Sequence, residues 1–106
     1  MTVKPPAHLT APTKRWFAAV VADYALDEHH IRLLTLAAEA WDRTQEAREV
    51  IKAEGMTYSD RFRAPRKHPA VGIEESARIA FARLLRELDL DGDPTPDVRP
   101  PRRGGR

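Results

Sequence analysis

The four histidines of the chain are its best candidates for metal binding or proton transfer, and they are His8, His29, His30 and His68. His29 and His30 are adjacent, so on a helix they would point about a third of a turn apart, and neither belongs to a His-Glu-x-x-His pattern. The chain has no cysteine, which excludes thiolate ligands and disulfides. The spacing therefore predicts no metal site and no cofactor.

Signatures of catalysis are missing from the sequence as well. Gly55 and Gly72 stand alone and the other three glycines lie between positions 92 and 105, so there is no glycine-rich phosphate loop. No nucleophile elbow occurs, and the carboxylates are spread along predicted helix faces. We therefore predict that the protein is not an enzyme.

Basic residues are concentrated in two segments. Residues 57–68 hold four basic residues against one aspartate, and residues 99–106 hold four arginines and no acidic residue, whereas the whole chain has a net charge of only +2. The rest of the chain is therefore net acidic. Concentrated basic segments on an acidic body predict a polyanion partner, and the alternative is flexible arginine that is only solvated.

Eight basic residues are the predicted DNA contacts. Those between the second and third predicted helices have no geometry that singles out a base, so we expect them to contact phosphates, which position a protein on DNA. The others lie at the start of the first predicted helix and in the C-terminal tail. The full set is Lys14, Arg15, Arg61, Arg63, Arg66, Lys67, Arg102 and Arg103.

Apolar residues at helical spacing predict three helices, at about residues 10–24, 28–54 and 69–90. Asp27 is a suitable N-cap for the second helix, and Gly55 is well placed to end it. The predicted fold class is all-α, with three main helices and a proline-stiffened basic connector between the second and the third.

The connector has no helical period. Residues 56–59 and 61–63 could form short extended pieces, but no strand pair is predicted. Pro65 and Pro69 restrict the residues before them to extended backbone. We therefore interpret His68 as part of a stiff hinge that leads into the third helix.

The second helix carries an apolar stripe with alternating spacings of four and three residues, which is typical of a helix that packs lengthwise on another. Trp16 and Trp41 lie on apolar stripes, so we expect both to pack in the core and not to stack on bases. Asp42 lies on the opposite face, which we expect water to cover. Since about eighty structured residues make a marginal core, we predict a homo-oligomer that associates through Leu33, Ala37, Ala40, Trp41, Ala47 and Ile51.

Composition divides the chain into three parts. Residues 1–9 are predicted to form a flexible N-terminal arm, residues 10–90 a helical DNA-binding and oligomerisation domain, and residues 91–106 a disordered basic tail. The two ends have too few apolar residues to offset the entropy of ordering them. No apolar run approaches membrane-spanning length and no signal peptide is visible, so we expect a cytoplasmic protein.

Three stretches of sequence follow one another in an informative order. They are LTAPTKRWFAAVVADYALDEHHIRLLTLAAEAWDR, then IKAEG with a basic spacer, and then HPAVGIEESARIAFARLLRELDLD, which together span about residues 9–91. This ordered set resembles the short helical kind of phage terminase small subunit, in which a His-Pro pair precedes a last helix with a leucine-rich end. Asp89 departs from the glycine that the family commonly has in its closing Leu-Gly-Leu, so the sequence defines the end of the third helix less sharply.

The resemblance implies a non-enzymatic DNA-recognition component of a packaging motor in the host cell cytoplasm. Such proteins typically form rings, bind the packaging-initiation region of the phage genome and deliver it to a large subunit that carries the ATPase and the nuclease. The implied partners are double-stranded phage DNA, the terminase large subunit and further copies of the chain, with no membrane.

Two other interpretations remain open at the level of sequence. Basic residues begin both of the first two helices, as in a small dimeric helix-turn-helix transcription regulator, although Asp27 and Glu28 would repel phosphate at the start of the second. The other is a structural interaction protein without affinity for DNA.

Overall fold

The structure, a computed structural model, describes residues 3–90. These residues form three helices and a short β-hairpin, in the order α1 (Ala11–Asp23), α2 (Glu28–Glu54), β1 (Thr57–Ser59), β2 (Pro65–Lys67) and α3 (Pro69–Leu88). The predicted all-α class with three main helices is confirmed. The expectation that no strands pair is wrong, because β1 and β2 form an antiparallel two-stranded sheet.

The ends of α2 are fixed by local chemistry that the sequence shows. The Asp27 carboxylate accepts a hydrogen bond from the His30 N–H at 2.9 Å, and the His30 ring faces the Asp27 N–H at 3.4 Å, which completes a reciprocal cap. At the other end Gly55 has φ +85°, a conformation that favours glycine. The 27-residue helix between them is about 40 Å long.

The third helix also ends sharply, despite the departure from the family pattern. Asp89 adopts the left-handed conformation (φ 48°, ψ 51°), and its N–H donates to the Leu85 carbonyl at 3.0 Å. Aspartate is one of the few residues other than glycine that enter this region readily. Asp89 therefore ends α3 without a glycine at this position.

The hydrophobic core lies at one end of an elongated molecule. α2 and α3 run antiparallel along each other, and α1 packs on the N-terminal half of α2. Phe17, Leu34 and Leu88, one from each helix, are the largest fully buried side chains and belong to one cluster. The far ends of α2 and α3 carry the hairpin, which has no buried residue.

The segment before α1 takes part in this core. Leu9 is buried in it, Val3 packs against it, and the Leu9 N–H donates to the Pro6 carbonyl at 3.3 Å. For residues 3–9 this packing differs from the expected flexible arm. The physical reason is that the segment is bound at several points, since Leu9 and Val3 pack on the core and the His8 ring also bonds to the Glu39 carboxylate at 2.8 Å.

Asp42 corrects the expectation that water covers the opposite face of α2. Its side chain is in a buried position, with 8% of the residue exposed. It accepts hydrogen bonds from the Thr10 N–H (2.8 Å), the Thr10 hydroxyl (2.9 Å) and the Thr13 hydroxyl (2.6 Å). Thr10 is the N-cap residue of α1, but its hydroxyl turns to Asp42 and makes no cap hydrogen bond.

Trp41 corrects a second expectation, that both tryptophans pack in the core. Trp16 is half-buried against the core cluster, as predicted. Trp41 is 42% exposed and packs on Phe81, with ring centroids 5.2 Å apart. The position of Trp41 at the edge of the apolar stripe therefore did not predict its burial, because much of its surface remains accessible.

Within residues 3–90, none of the helices is both long enough and apolar enough to span a membrane.

Candidate nucleic-acid interface

The β-hairpin between α2 and α3 holds the largest group of predicted DNA contacts. In its register Thr57 pairs with Lys67, Tyr58 with Arg66 and Ser59 with Pro65. Because side chains alternate along a strand, Tyr58 and Arg66 lie on one face of the hairpin and Lys67 on the other. The hairpin therefore presents positive charge on both faces.

Asp60 organises the turn of the hairpin. Its carboxylate accepts hydrogen bonds from the Phe62 N–H (2.8 Å), the Ala64 N–H (3.0 Å) and the Arg66 Nε–H (2.9 Å). The Asp60 N–H donates to the Ala64 carbonyl, and the Asp60 carbonyl accepts from the Arg63 N–H. The Arg66 guanidinium, followed by the backbone N–H groups, holds the pKa of Asp60 below its usual value. The turn is consequently a defined structure and not a loose loop.

The base of the hairpin is tied to both long helices through His68. The His68 N–H donates to the Met56 carbonyl at 2.8 Å, and its ring Nδ1 accepts from the Ala70 N–H at 3.0 Å, which caps α3. With Nδ1 as acceptor, Nε2 is the ring atom that donates to Glu54, at 2.9 Å. His68 is thus the structural hinge that the sequence indicated, and all its polar atoms are engaged within the fold.

Three cations of the hairpin have no acidic neighbour within the described part of the chain. Arg61, Arg63 and Lys67 are exposed, and no carboxylate there lies within ion-pair distance of them. Arg66 differs, because its Nε is engaged by Asp60. The three free charges are available to an external anion, whereas the Arg66 guanidinium is held by the Asp60 carboxylate of the turn.

The other predicted DNA contacts do not join this group. Lys14 and Arg15 follow Thr13, which bonds to Asp42 in the middle of α2. The twelve residues from Asp42 to Glu54, at the hairpin end of the helix, correspond to about 18 Å. Arg102 and Arg103 lie outside the described residues. The structure therefore brings together four of the eight predicted positions.

Two structural features of the hairpin were not predicted from the sequence. Phe62, at the tip, is the most exposed large apolar side chain in the described chain, at 74%. Asp60 is the residue that fixes the tip. A signal for Asp60 existed, because aspartate side chains commonly bond the N–H two residues on and so start a turn. No periodic pattern marks Phe62.

The described residues contain no group of three or more histidines and carboxylates placed to hold a metal ion. The carboxylates whose pKa values are shifted stabilise the fold as ion-pair or capping partners. Arg48, at 3.0 Å, is the main cause of the lowered pKa of Glu74, and it links α2 to α3. The His30 N–H is the main cause of the lowered pKa of Asp27. Both groups stay ionised, as ion-pair and capping partners do.

Comparison with known proteins gives one match. A family model described as phage terminase, small subunit, matches residues 14–98, a span that includes most of α1 and all of α2, the hairpin and α3. No match was found among curated proteins or among solved structures. The family match agrees with the resemblance carried by the three quoted stretches of sequence.

Proposed function

The chain belongs to the family of phage terminase small subunits, and we propose that it is the non-catalytic DNA-recognition component of the packaging terminase. Membership gives the protein a role in phage genome packaging. The proposal adds that it binds the packaging-initiation region of double-stranded phage DNA in the host cell cytoplasm and delivers that DNA to the large subunit, which carries the ATPase and nuclease.

One observation carries the proposal of DNA binding, namely the exposed cations of the hairpin. Arg61, Arg63 and Lys67 have no acidic partner among residues 3–90 and lie on a turn that Asp60 holds in shape. Phosphate contacts by such side chains release counterions, so they contribute affinity that falls with salt and depends little on sequence. This supports phosphate positioning by the hairpin, with recognition of the packaging site requiring further contacts.

A triple substitution tests this proposal. Arg61→Ala, Arg63→Ala and Lys67→Ala spare Arg66, whose loss would disturb the Asp60 turn. Binding to every duplex should weaken, and the slope of log K against log salt should become shallower by up to about 3, since each phosphate contact contributes about 0.9. Fluorescence anisotropy over a salt series measures the slope.

The matched control removes three exposed helix cations, Arg78, Arg83 and Arg86, and so changes the net charge equally. It should leave the slope nearly unchanged. An unaltered slope in the hairpin variant would place the contacts elsewhere, with Lys14 and Arg15 as the next choice.

The helix-turn-helix alternative is not favoured by the start of α2. The Asp27 carboxylate caps that helix, and its pKa is lowered chiefly by the His30 N–H. The helix that would have to enter a DNA groove therefore begins with an ionised carboxylate, and Glu28 follows it. Both charges would repel phosphates at this end.

Self-association is the second part of the proposal, and it needs a different surface from the predicted stripe. Ala37 and Ala47 are already buried within a single chain. Leu33, Ala40 and Ile51 are half-buried, and Trp41 is exposed. Most of the stripe is used inside the chain, so we infer an interface formed by Trp41 together with apolar residues that remain accessible beside the stripe.

Two such surfaces occur, one between α2 and α3 and one that also includes residues of α1. One is a groove between the helices, and its exposed apolar residues are Leu36 (52% exposed) and Ile73 (47%). The other is an aromatic surface formed by Pro12, Trp16, Trp41 and Phe81. Leu36 and Trp41 are five residues apart, about 140° around the helix. The groove and the aromatic surface therefore face different directions.

A ring needs this kind of arrangement, because each subunit meets its neighbours through two different surfaces. We place the aromatic surface of one subunit in the groove of the next. Leu36→Glu should then reduce a mass larger than a dimer to that of the monomer, as measured by native mass spectrometry. Met56→Glu, at an exposed hairpin residue outside both surfaces, is the control and should keep the oligomer. A monomeric wild-type protein at micromolar concentration would contradict self-association altogether.

A further inference from the structure

Phosphate binding alone does not explain why a large apolar side chain, Phe62, is exposed at the tip of the hairpin. It lies at the tip of the hairpin, between Arg61 and Arg63, and is 74% exposed. We propose that Phe62 is a wedge that inserts between neighbouring base pairs of DNA held by the hairpin and thereby bends the duplex. The inference rests on the proposed DNA-binding function and adds a residue that deforms the DNA.

Exposure by itself would not justify this role, since single apolar side chains are common on protein surfaces. The rigidity of the turn distinguishes Phe62. Its own N–H is bound by the Asp60 carboxylate at 2.8 Å, and the Ala64 N–H is bound by the same oxygen at 3.0 Å. The next residue, Arg63, has φ 62°, which turns the chain back sharply. The backbone that carries the ring is therefore held in one conformation, and little backbone entropy is lost when Phe62 meets a partner.

The charges around the ring favour DNA over a protein partner. Arg61, Arg63 and Lys67 carry no compensating acidic group within residues 3–90. The Arg61 guanidinium carbon lies 4.9 Å from the centroid of the Phe62 ring. An apolar tip flanked by cations matches a site where the apolar base stack lies between two rows of phosphates. On contact, Arg61 can move from the ring to a phosphate and expose the ring to the bases.

Insertion of an apolar side chain unstacks one base step and kinks the duplex. The cost is lowest at flexible pyrimidine–purine steps such as TA and CA. Phe62 would therefore add a preference for deformable steps without any hydrogen bond to a base. The same insertion would hold the DNA bent on a small protein.

The experiment compares Phe62→Ala with the wild type on a 30-bp duplex, of about three helical turns, with a central TA step and a dye at each end. Energy transfer between the dyes reports bending, and fluorescence anisotropy over a salt series reports affinity. Phe62→Ala should lose about tenfold in affinity and most of the bending, with the salt slope unchanged. Phe62→Leu should keep much of both, because leucine can also act as a wedge. The control Met56→Ala removes another exposed apolar side chain of the same hairpin and should behave as the wild type.

The outcomes separate this inference from the function on which it rests. If the wild type does not bind the duplex, the proposed DNA binding is wrong. If the wild type binds and Phe62→Ala binds and bends the DNA equally, the wedge is wrong while DNA binding stands. If Phe62→Ala retains DNA binding and bending but no longer stimulates the ATPase of the large subunit, the tip docks on that protein and the wedge is again overturned.

Discussion

Asp42 is the residue that holds the N-terminal part of the chain to α2. One carboxylate accepts from three donors on Thr10 and Thr13, about thirty positions away in the sequence. We expect Asp42→Ala to lower the free energy of unfolding by about 2–3 kcal/mol, because a charge-assisted network is lost and the buried Thr13 hydroxyl loses its acceptor. Urea denaturation measures the change. Asp23→Ala, at an exposed position on α1, should change the free energy little, and equal losses in both variants would contradict the role of Asp42.

The same carboxylate should contribute to the acid sensitivity of the fold. Burial by itself would raise the pKa of Asp42, but the hydrogen bonds from Thr13 and Thr10 outweigh it and lower the pKa below its usual 3.8. The unfolded chain then takes up the proton at higher pH than the folded one. The stabilisation is therefore complete above about pH 5 and is lost as the pH falls through the folded pKa. Asp42→Asn should lack this part of the pH dependence, which denaturation at pH 7 and pH 3 would show as a smaller difference than in the wild type.

At the scale of elements, His68 joins α2, the hairpin and α3. Its ring caps α3 through Ala70 and bonds to Glu54 at the end of α2. His68→Ala should cost about 1–2 kcal/mol through the lost N-cap and should speed amide exchange in the hairpin. His68→Asn restores a capping acceptor and should recover much of the stability, while His29→Ala, at an exposed position, serves as the control. Unchanged exchange in His68→Ala would show that strand pairing alone holds the hairpin.

The helices were predictable because their signals are local. Asp27, Gly55 and Pro69 mark the ends of helices whose apolar spacing extends over several turns, and each acts on neighbouring backbone. The hairpin was not predictable in this way. Its strands have three residues each, too few for a period of two to be visible. Its base depends on contacts of His68 with Met56 and Glu54, which the folded chain creates between separate elements.

Burial of individual side chains was the less predictable part of the fold and of the candidate site. Asp42 appeared solvent-exposed because hydropathy assigns a carboxylate to water, and its Thr10 and Thr13 partners come from a distant segment. Trp41 appeared buried because hydropathy assigns an indole to the core. In both cases the outcome depends on which element packs over the residue, and spacing along one helix does not contain that information.

At the scale of the whole molecule, the core and the proposed DNA contacts occupy opposite ends. The principal extents are 61 × 28 × 19 Å, and the core cluster is built from α1, the N-terminal half of α2 and the end of α3. The basic hairpin is at the other end of α2 and α3. This separation allows substitutions in the hairpin to change DNA binding without touching the core, so the DNA-binding and stability experiments can be interpreted independently.

Residues 99–106 are the remaining concentration of positive charge, with Arg99, Arg102, Arg103 and Arg106, whereas residues 91–98 hold three aspartates. The tail beyond Leu90 lies outside the described residues, and its composition, with Val98 as the one aliphatic residue among sixteen, predicts little contribution to a core. We therefore expect a chain cut after Leu90 to fold and keep the oligomeric mass of the full-length protein. It should lose part of its DNA affinity, part of its stimulation of the large subunit's ATPase, or both, because four cations are removed.

A full-length chain with the four arginines changed to glutamine separates charge from length: if it behaves like the truncated chain, the charges carry the function. Native mass, DNA affinity and ATPase stimulation are measured on the same preparations. Collapse of the assembly would make the tail structural, and three unchanged readouts would show that its arginines are only solvated.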